Sequence, residues 1–288
     1  MSPYAKDIHE EAKQKFLFYG NVGSGKTTLC RSLPGRKFLY MFDPAGLNSI
    51  KPVDDIYYET FMPDAVSMTV ATLKGIRDVK APTYAASETY VRWEKDFELR
   101  LSQKFFTDPN VEIDRVRGGF DTIILDSLTT LSDLIMDRIL EINNRSGKNP
   151  EVSDYGVLAM TIKRIVRNAA ATGCYVALTA HEQADQDKLL RTVSNKIMVP
   201  GQLKITLPIL FSDIWHTKVD RDSNGKVKYL AETIPVDMYP TMRCSLDLPT
   251  SIDVTIPHDC ADPTKFGIGA ILRSKGLWND FKGKEVIK

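Results

Sequence analysis

The stretch Gly20-Asn21-Val22-Gly23-Ser24-Gly25-Lys26-Thr27-Thr28 constrains this chain more than any other. It fits the pattern G-x-x-x-x-G-K-[ST], with the apolar run Lys15–Tyr19 directly before it. A short helical stretch through Leu29 follows and is stopped by Pro34-Gly35. Strand, glycine-rich turn and helix in that order make a phosphate cradle. Glycines let successive backbone N–H groups curl around an anion, and the helix N-terminus adds about half a positive charge there. Lys26 is placed to reach the β- and γ-phosphates of a nucleotide, and the Thr27 hydroxyl to ligate Mg²⁺.

A strongly apolar run, Thr122–Leu125, is closed by Asp126-Ser127. A buried strand closing on an aspartate about 100 residues after a phosphate loop is the Walker-B arrangement, in which the carboxylate holds Mg²⁺ directly or through water. Many ATPases place a water-activating glutamate next; here the residue is Ser127. Another group must then orient the water. Asp43 is the nearest candidate, at the end of the run Phe38–Phe42, where ligands gather in open α/β sheets. The run Cys174–Ala180 delivers Thr179, His181, Glu182 and Gln183 to the same rim. His181 or Gln183 is expected to touch the γ-phosphate.

Composition excludes several classes. The 288 residues carry 38 Lys+Arg against 37 Asp+Glu, a net charge of +1, so nucleic-acid contact needs a local patch. Cys30, Cys174, Cys244 and Cys260 form no CxxC pair, which argues against a zinc framework or a secreted disulfide scaffold. The polar N-terminus and the lack of a long apolar run point to a cytoplasmic protein. Asn195-Lys196-Ile197-Met198 lacks the aspartate of the N-K-x-D guanine motif.

Residues 54–119 are expected to form a long helical insert. Val66, Val70, Leu73 and Arg77 give one stripe, and Tyr90, Trp93, Phe97, Leu101 and Phe105 give another. Further helices are marked by Leu128–Ile142 and by Leu158, Ile162, Ile165 and Ala169. Residues 184–205 look like a loop, and 212–220 with 226–233 read as a hairpin around Ser223-Asn224-Gly225. Residues 1–245 are expected to be one core, and 246–288 an irregular extension with a short helix near 267–275.

Taken together, Gly20–Thr28, Asp43, Ile123–Ser127, Thr179–Gln183, Pro200-Gly201 and Leu207–Asp213 resemble the RecA-like P-loop ATPases, in particular phage nucleotide-binding proteins that include RecA-core single-strand annealing proteins. The resemblance covers about residues 14–245. It implies an α/β fold, with a mostly parallel sheet flanked by helices and a C-terminal β-hairpin, and an ATPase using ATP and Mg²⁺ in a phage-infected bacterial cytoplasm. It further implies a homo-oligomer, ring or filament, acting on single-stranded DNA in recombination or annealing, with a single-strand binding protein as a further partner.

In such proteins a loop after the sensor strand binds DNA; the matching stretch carries Lys188, Arg191, Lys196 and Lys204 and no acid. A basic residue is also borrowed from the neighbouring subunit; only Arg243 matches, since Thr241 replaces the expected lysine. Asp43 is shorter than the glutamate usual in RecA, which implies slow or differently assembled hydrolysis. A nucleotide-gated assembly or packaging factor without DNA binding, and a small-molecule kinase, remain open alternatives.

Overall fold

Phe16 to Gly20 are buried on both faces, as a strand in the middle of a parallel sheet must be. The computed structural model describes residues 13–43, 46–51, 55–63, 81–187, 192–201, 203–257 and 259–278. Strand β1 (Lys15–Gly20) enters α1 (Lys26–Cys30), and β2 (Lys37–Met41) leads to the single turn α2 (Leu47–Ile50). Then come β3 (Ile56–Thr60), the long α3 (Ala81–Ser102) and the short pair β4 (Glu112–Ile113) and β5 (Val116–Arg117). Next are β6 (Thr122–Asp126), α4 (Leu128–Ile142), α5 (Val152–Ala171), β7 (Tyr175–Asp187), β8 (Thr192–Ile197) and α6 (Leu203–Thr206). The described chain closes with β9 (Asp213–Arg221), β10 (Val227–Glu232), β11 (Ser251–Asp253) and α7 (Gly267–Ser274).

One mixed sheet runs β11-β10-β9-β1-β7-β6-β2-β3, with β8 paired to β7. The six strands from β9 to β3 are mutually parallel. Alternation along each strand splits the core. Leu17, Tyr19, Phe38, Tyr40, Ile123, Leu125, Val176 and Leu178 face α3, α4 and α5. Phe16, Phe18, Leu39, Met41, Ile124, Ala177 and Trp215 face α1 and α7. This is the α/β architecture expected, and it gathers the C-terminal ends of the parallel strands at one rim. No helix among the described residues is long and apolar enough to cross a membrane.

Three expectations need correction. The 54–119 stretch is not purely helical: Ile56–Thr60 joins the main sheet as edge strand β3, parallel to β2, and β4 and β5 pair with each other. Strands this short carry too little periodicity to announce themselves. The Val66–Arg77 stripe lies outside the described residues. The second stripe is core: Tyr90, Trp93 and Phe97 are buried from α3, with Trp93 stacked on Phe97 at 5.3 Å. Arg100, fully buried, ties α3 to β3 and the β4–β5 turn through Glu59, Asp96 and Asp114, and lies over Phe38 and Phe105.

The 184–205 stretch is not a loop either. Strand β7 continues past the rim to Asp187, and β8 returns beside it, pairing Glu182 with Ile197 and Gln183 with Lys196. Its residues are mostly polar, so backbone pairing holds it with little apolar patterning to announce it. Finally, the segment after 246 holds a strand besides the expected short helix. It adds β11 to the sheet, and α7 packs Ile268 and Leu272 into the same core as α1.

Candidate functional site

Parallel strand ends build the site. The loop between β1 and α1 lies at the rim; its apex residue Val22 is 84% exposed, so it offers backbone and not side chain. Gly23 and Gly25 take left-handed φ values of 77° and 87°. At Gly20 a Cβ would collide with the Thr217 carbonyl of β9. Ser24 anchors the loop to the same strand through a 2.8 Å hydrogen bond between Ser24 Oγ and Thr217 Oγ1. Asn21 supplies a carbonyl facing inward, while Thr27 and Thr28 follow half-buried in the first turn of α1.

Lys26 Nζ donates to the carbonyls of Gly20 at 2.9 Å and Asn21 at 2.8 Å, so the ammonium is held inside its own loop. Burial lowers its pKa, and the nearby carboxylates of Asp126, Glu182 and Asp43 oppose that. A desolvated cation facing a ring of carboxylates and inward-turned amides is poised to exchange carbonyl partners for phosphate oxygens.

Asp126, at the end of β6, is 3% exposed. Thr27 Oγ1 donates to its Oδ2 at 2.7 Å, and the Thr179 hydroxyl of β7 donates to Oδ1. Burial nevertheless pushes its pKa up. Such a carboxylate gains from a cation, and a hydroxyl plus a carboxylate beside a phosphate loop is the sparse protein ligation that Mg²⁺ takes. Thr27 and Asp126 therefore fit a metal.

Asp43 follows β2 on the adjacent strand end. Thr130 Oγ1 donates to its Oδ1 at 2.6 Å, Ser127 Oγ donates to its Oδ2 at 2.7 Å, and His181 Nε2 stands 3.8 Å from Oδ2. Burial works against this carboxylate, but His181 and the two hydroxyls together outweigh it and hold the carboxyl down at about 2. A group that acidic orients a water more readily than it takes its proton.

A family model described as AAA domain matches residues 12–214. The chain belongs to the AAA domain family. As an AAA domain it is a P-loop NTPase. No curated protein sequence matches the chain. Among solved structures it is similar to the flagellar accessory protein FlaH from Methanocaldococcus jannaschii, at 14% identity over 85% of each chain with a TM-score of 0.40.

Within this AAA domain, Lys26, Asp126, Asp43 and His181 converge at one rim. Gln183 does not; it sits further along the β7–β8 ribbon, opposite Lys196. Arg243 lies away from the phosphate loop of its own chain, bridged through its backbone to Ile214 near the start of β9. Lys196 is paired with Asp185 at 2.8 Å. It lines a cleft of about 770 Å³ together with Lys204 and Arg243. Lys188 and Arg191 lie outside the described residues.

Several contacts escaped sequence reading. Ser127 and Thr130 clamp Asp43; the S-x-x-T spacing at the start of α4 signals an N-cap, and Ser127 does accept from the Thr130 N–H. Glu182 and His216 form a nearly enclosed pair at 2.7 Å beside the loop, with Tyr239 stacked on the imidazole at 3.7 Å. Burial lowers the His216 pKa, and Glu182 opposes it. Nothing local joins residues 182, 216 and 239.

Proposed function

We propose that this AAA domain chain binds ATP with Mg²⁺ and hydrolyses it while acting on single-stranded DNA in phage recombination or annealing, as a homo-oligomer in the host bacterial cytoplasm. Lys26 and the amides of Gly20–Thr28 would hold the phosphates. Thr27 and Asp126 would hold Mg²⁺, which supplies charge neutralisation between the β- and γ-phosphates. Asp43, held acidic by Ser127, Thr130 and His181, would orient a water in line with the γ-phosphorus; as the water oxygen bonds to phosphorus the bond to the ADP oxygen would break, and the water's proton would pass to an oxygen of the departing phosphate. Arg243 would act in the neighbouring subunit's site.

The observation that carries the DNA part of this reading is the continuity of β7. One strand runs from Thr179, bonded to Asp126, through His181, beside Asp43, into the ribbon bearing Lys196. Any shift at the γ-phosphate end of that strand is passed to the ribbon. Met198 N–H donates to the His181 carbonyl at 2.8 Å and the His181 N–H donates to Thr129 Oγ1 at 3.0 Å, which ties the ribbon's base to the rim.

The test is ATP hydrolysis with and without a single-stranded oligonucleotide at low and moderate salt, with Lys26→Ala as the control. Stimulation that fades with salt and vanishes in the variant supports the reading. Hydrolysis indifferent to the oligonucleotide removes the DNA half and favours a nucleotide-gated assembly factor.

A further inference from the structure

Residues 203–211 hide one apolar stripe and display another. Leu203, Leu207 and Phe211 recur every fourth residue and are buried, which fixes α6 and the single turn Pro208–Leu210 to the core. Ile205 and Ile209 share that spacing on the outer side, where they are 75% and 73% exposed. One exposed isoleucine needs no account. These two wall the same cleft, the one of about 770 Å³ that also holds Lys196, Lys204 and Arg243. Pro208, Pro240 and Met242 extend its apolar lining.

Both walls of the cleft are held in place. The far one, residues 240–243, is fastened to the start of β9: the Ile214 N–H donates to the Arg243 carbonyl at 2.7 Å, and the Arg243 N–H to the Ile214 carbonyl at 3.1 Å. The near one is anchored by Leu203 and Leu207. Its charge is one-sided. Lys196, Lys204 and Arg243 stand against Asp185, the one carboxylate among the described lining residues. That carboxylate is already engaged: Lys196 at 2.8 Å, and then Lys204, hold it below its ordinary range. An apolar floor between cationic walls favours a ligand that brings apolar side chains and negative charge together.

We propose that this cleft docks an acidic segment of a partner protein, an extended stretch that alternates carboxylates with apolar side chains. A small ligand inside the cleft would leave the outward faces of Ile205 and Ile209 in water. Single-stranded nucleic acid would satisfy the cations, but it gains its remaining affinity by stacking bases on aromatic rings, and none of the described lining residues is aromatic. A seat of this volume admits a few side chains of an extended strand, whereas a folded copy of the chain needs a face of about 800 Å². The positive walls then select an acidic segment. Lys204, a cation of the stretch expected to bind DNA, is thereby assigned to a protein contact. Lys204 and the two isoleucines suffice for the docking, which is compatible with Arg243 serving a neighbouring subunit. The site lies apart from the phosphate loop, and its occupancy does not rest on the nucleotide reading.

The experiment is fluorescence anisotropy of a labelled short peptide of alternating aspartate and leucine, titrated with the full chain and its variants. The wild type should bind it with a Kd on the order of 10 µM, and the matching aspartate–serine and lysine–leucine peptides about tenfold more weakly or worse. Ile205→Asp and Ile209→Asp should each weaken the aspartate–leucine peptide by about tenfold, with Tm unchanged because both side chains project into water. Ile209→Ser should act in the same direction, which separates lost apolar contact from added negative charge. Lys204→Ala should weaken binding about threefold and flatten its salt dependence. No binding of the aspartate–leucine peptide, or equal binding by the wild type and the isoleucine variants, overturns the docking site. Displacement of the peptide by a single-stranded oligonucleotide at equal concentration gives the cleft to nucleic acid and overturns it as well. So does a wild-type oligomer in sedimentation that Ile209→Asp breaks and the peptide does not, which gives this face to a second copy.

Discussion

Ser127 Oγ donates to Asp43 Oδ2 at 2.7 Å, joining the residue after the β6 aspartate to the strand end next door. The serine stands where many ATPases keep a water-activating acid, and here it braces the carboxylate that follows β2. With Thr130 on the other oxygen, both lone-pair faces of Asp43 are partly spent on hydroxyls. The carboxylate is rigid, acidic and aimed, which suits orientation of a water and not proton abstraction.

The first consequence concerns pH. With its carboxyl at about 2, Asp43 stays ionised through the working range, so kcat should show no acid limb from it between about pH 5 and 8. Its folded pKa lies below the unfolded value of about 3.9, so its contribution to stability is complete above that value. It is lost as pH falls through about 2. Asp43→Asn should therefore cost about 1–2 kcal/mol at pH 7 and progressively less in acid, read from urea melts across that window.

Asp126 behaves oppositely. Burial raises its pKa, so the ionised form weighs against the fold, increasingly as pH rises through the folded value. Asp126→Asn should leave the ligand-free Tm equal to or above that of the wild type at pH 7 while abolishing hydrolysis. It should also remove the extra thermal stabilisation that Mg²⁺ adds to ATP, measured by melting with ATP in Mg²⁺ and in EDTA.

Lys26→Ala removes a buried cation whose partners are two loop carbonyls. Phosphate release should fall by about 100-fold or more, with little change in the ligand-free Tm. A variant that hydrolysed ATP normally would remove Lys26 from the chemistry.

The ribbon offers a charge test. Lys196 is held by Asp185, so Asp185→Asn should free it and raise affinity for a single-stranded oligonucleotide, whereas Lys196→Ala should lower it. The slope of log affinity against log salt should become shallower by about 1 in Lys196→Ala. Anisotropy titrations at several salt concentrations read both, and identical slopes in all three proteins would take Lys196 off the nucleic-acid surface.

Much of the site was legible from local spacing. The phosphate loop needs spaced glycines, a lysine and a threonine on one strand–helix turn, so Gly20–Thr28 announces itself. Asp126 does likewise at the end of a wholly apolar run, and Asp43 and His181 follow from the rule that strand ends share a rim. The aromatic stripe of α3 is visible in the sequence because a helix repeats every three to four residues, and the fold buries it.

What tertiary structure alone decided is which strands pair and which residues meet across the sheet. That β3 is a strand and not helix, and that β7 runs on into a ribbon with β8, are set by backbone pairing to partners whose register no local pattern encodes. The Ser127–Asp43 bond, the Glu182–His216 pair and the Tyr229 ring on Gly25 each join residues brought together only when the parallel sheet closes. Local chemistry therefore named the lysine, the carboxylates and the loop that share the rim. The order of strands across the sheet chose which hydroxyls tune them and which aromatic stands beside them, because hydrogen bonds and ring contacts act over a few ångströms and carry no signature along the chain.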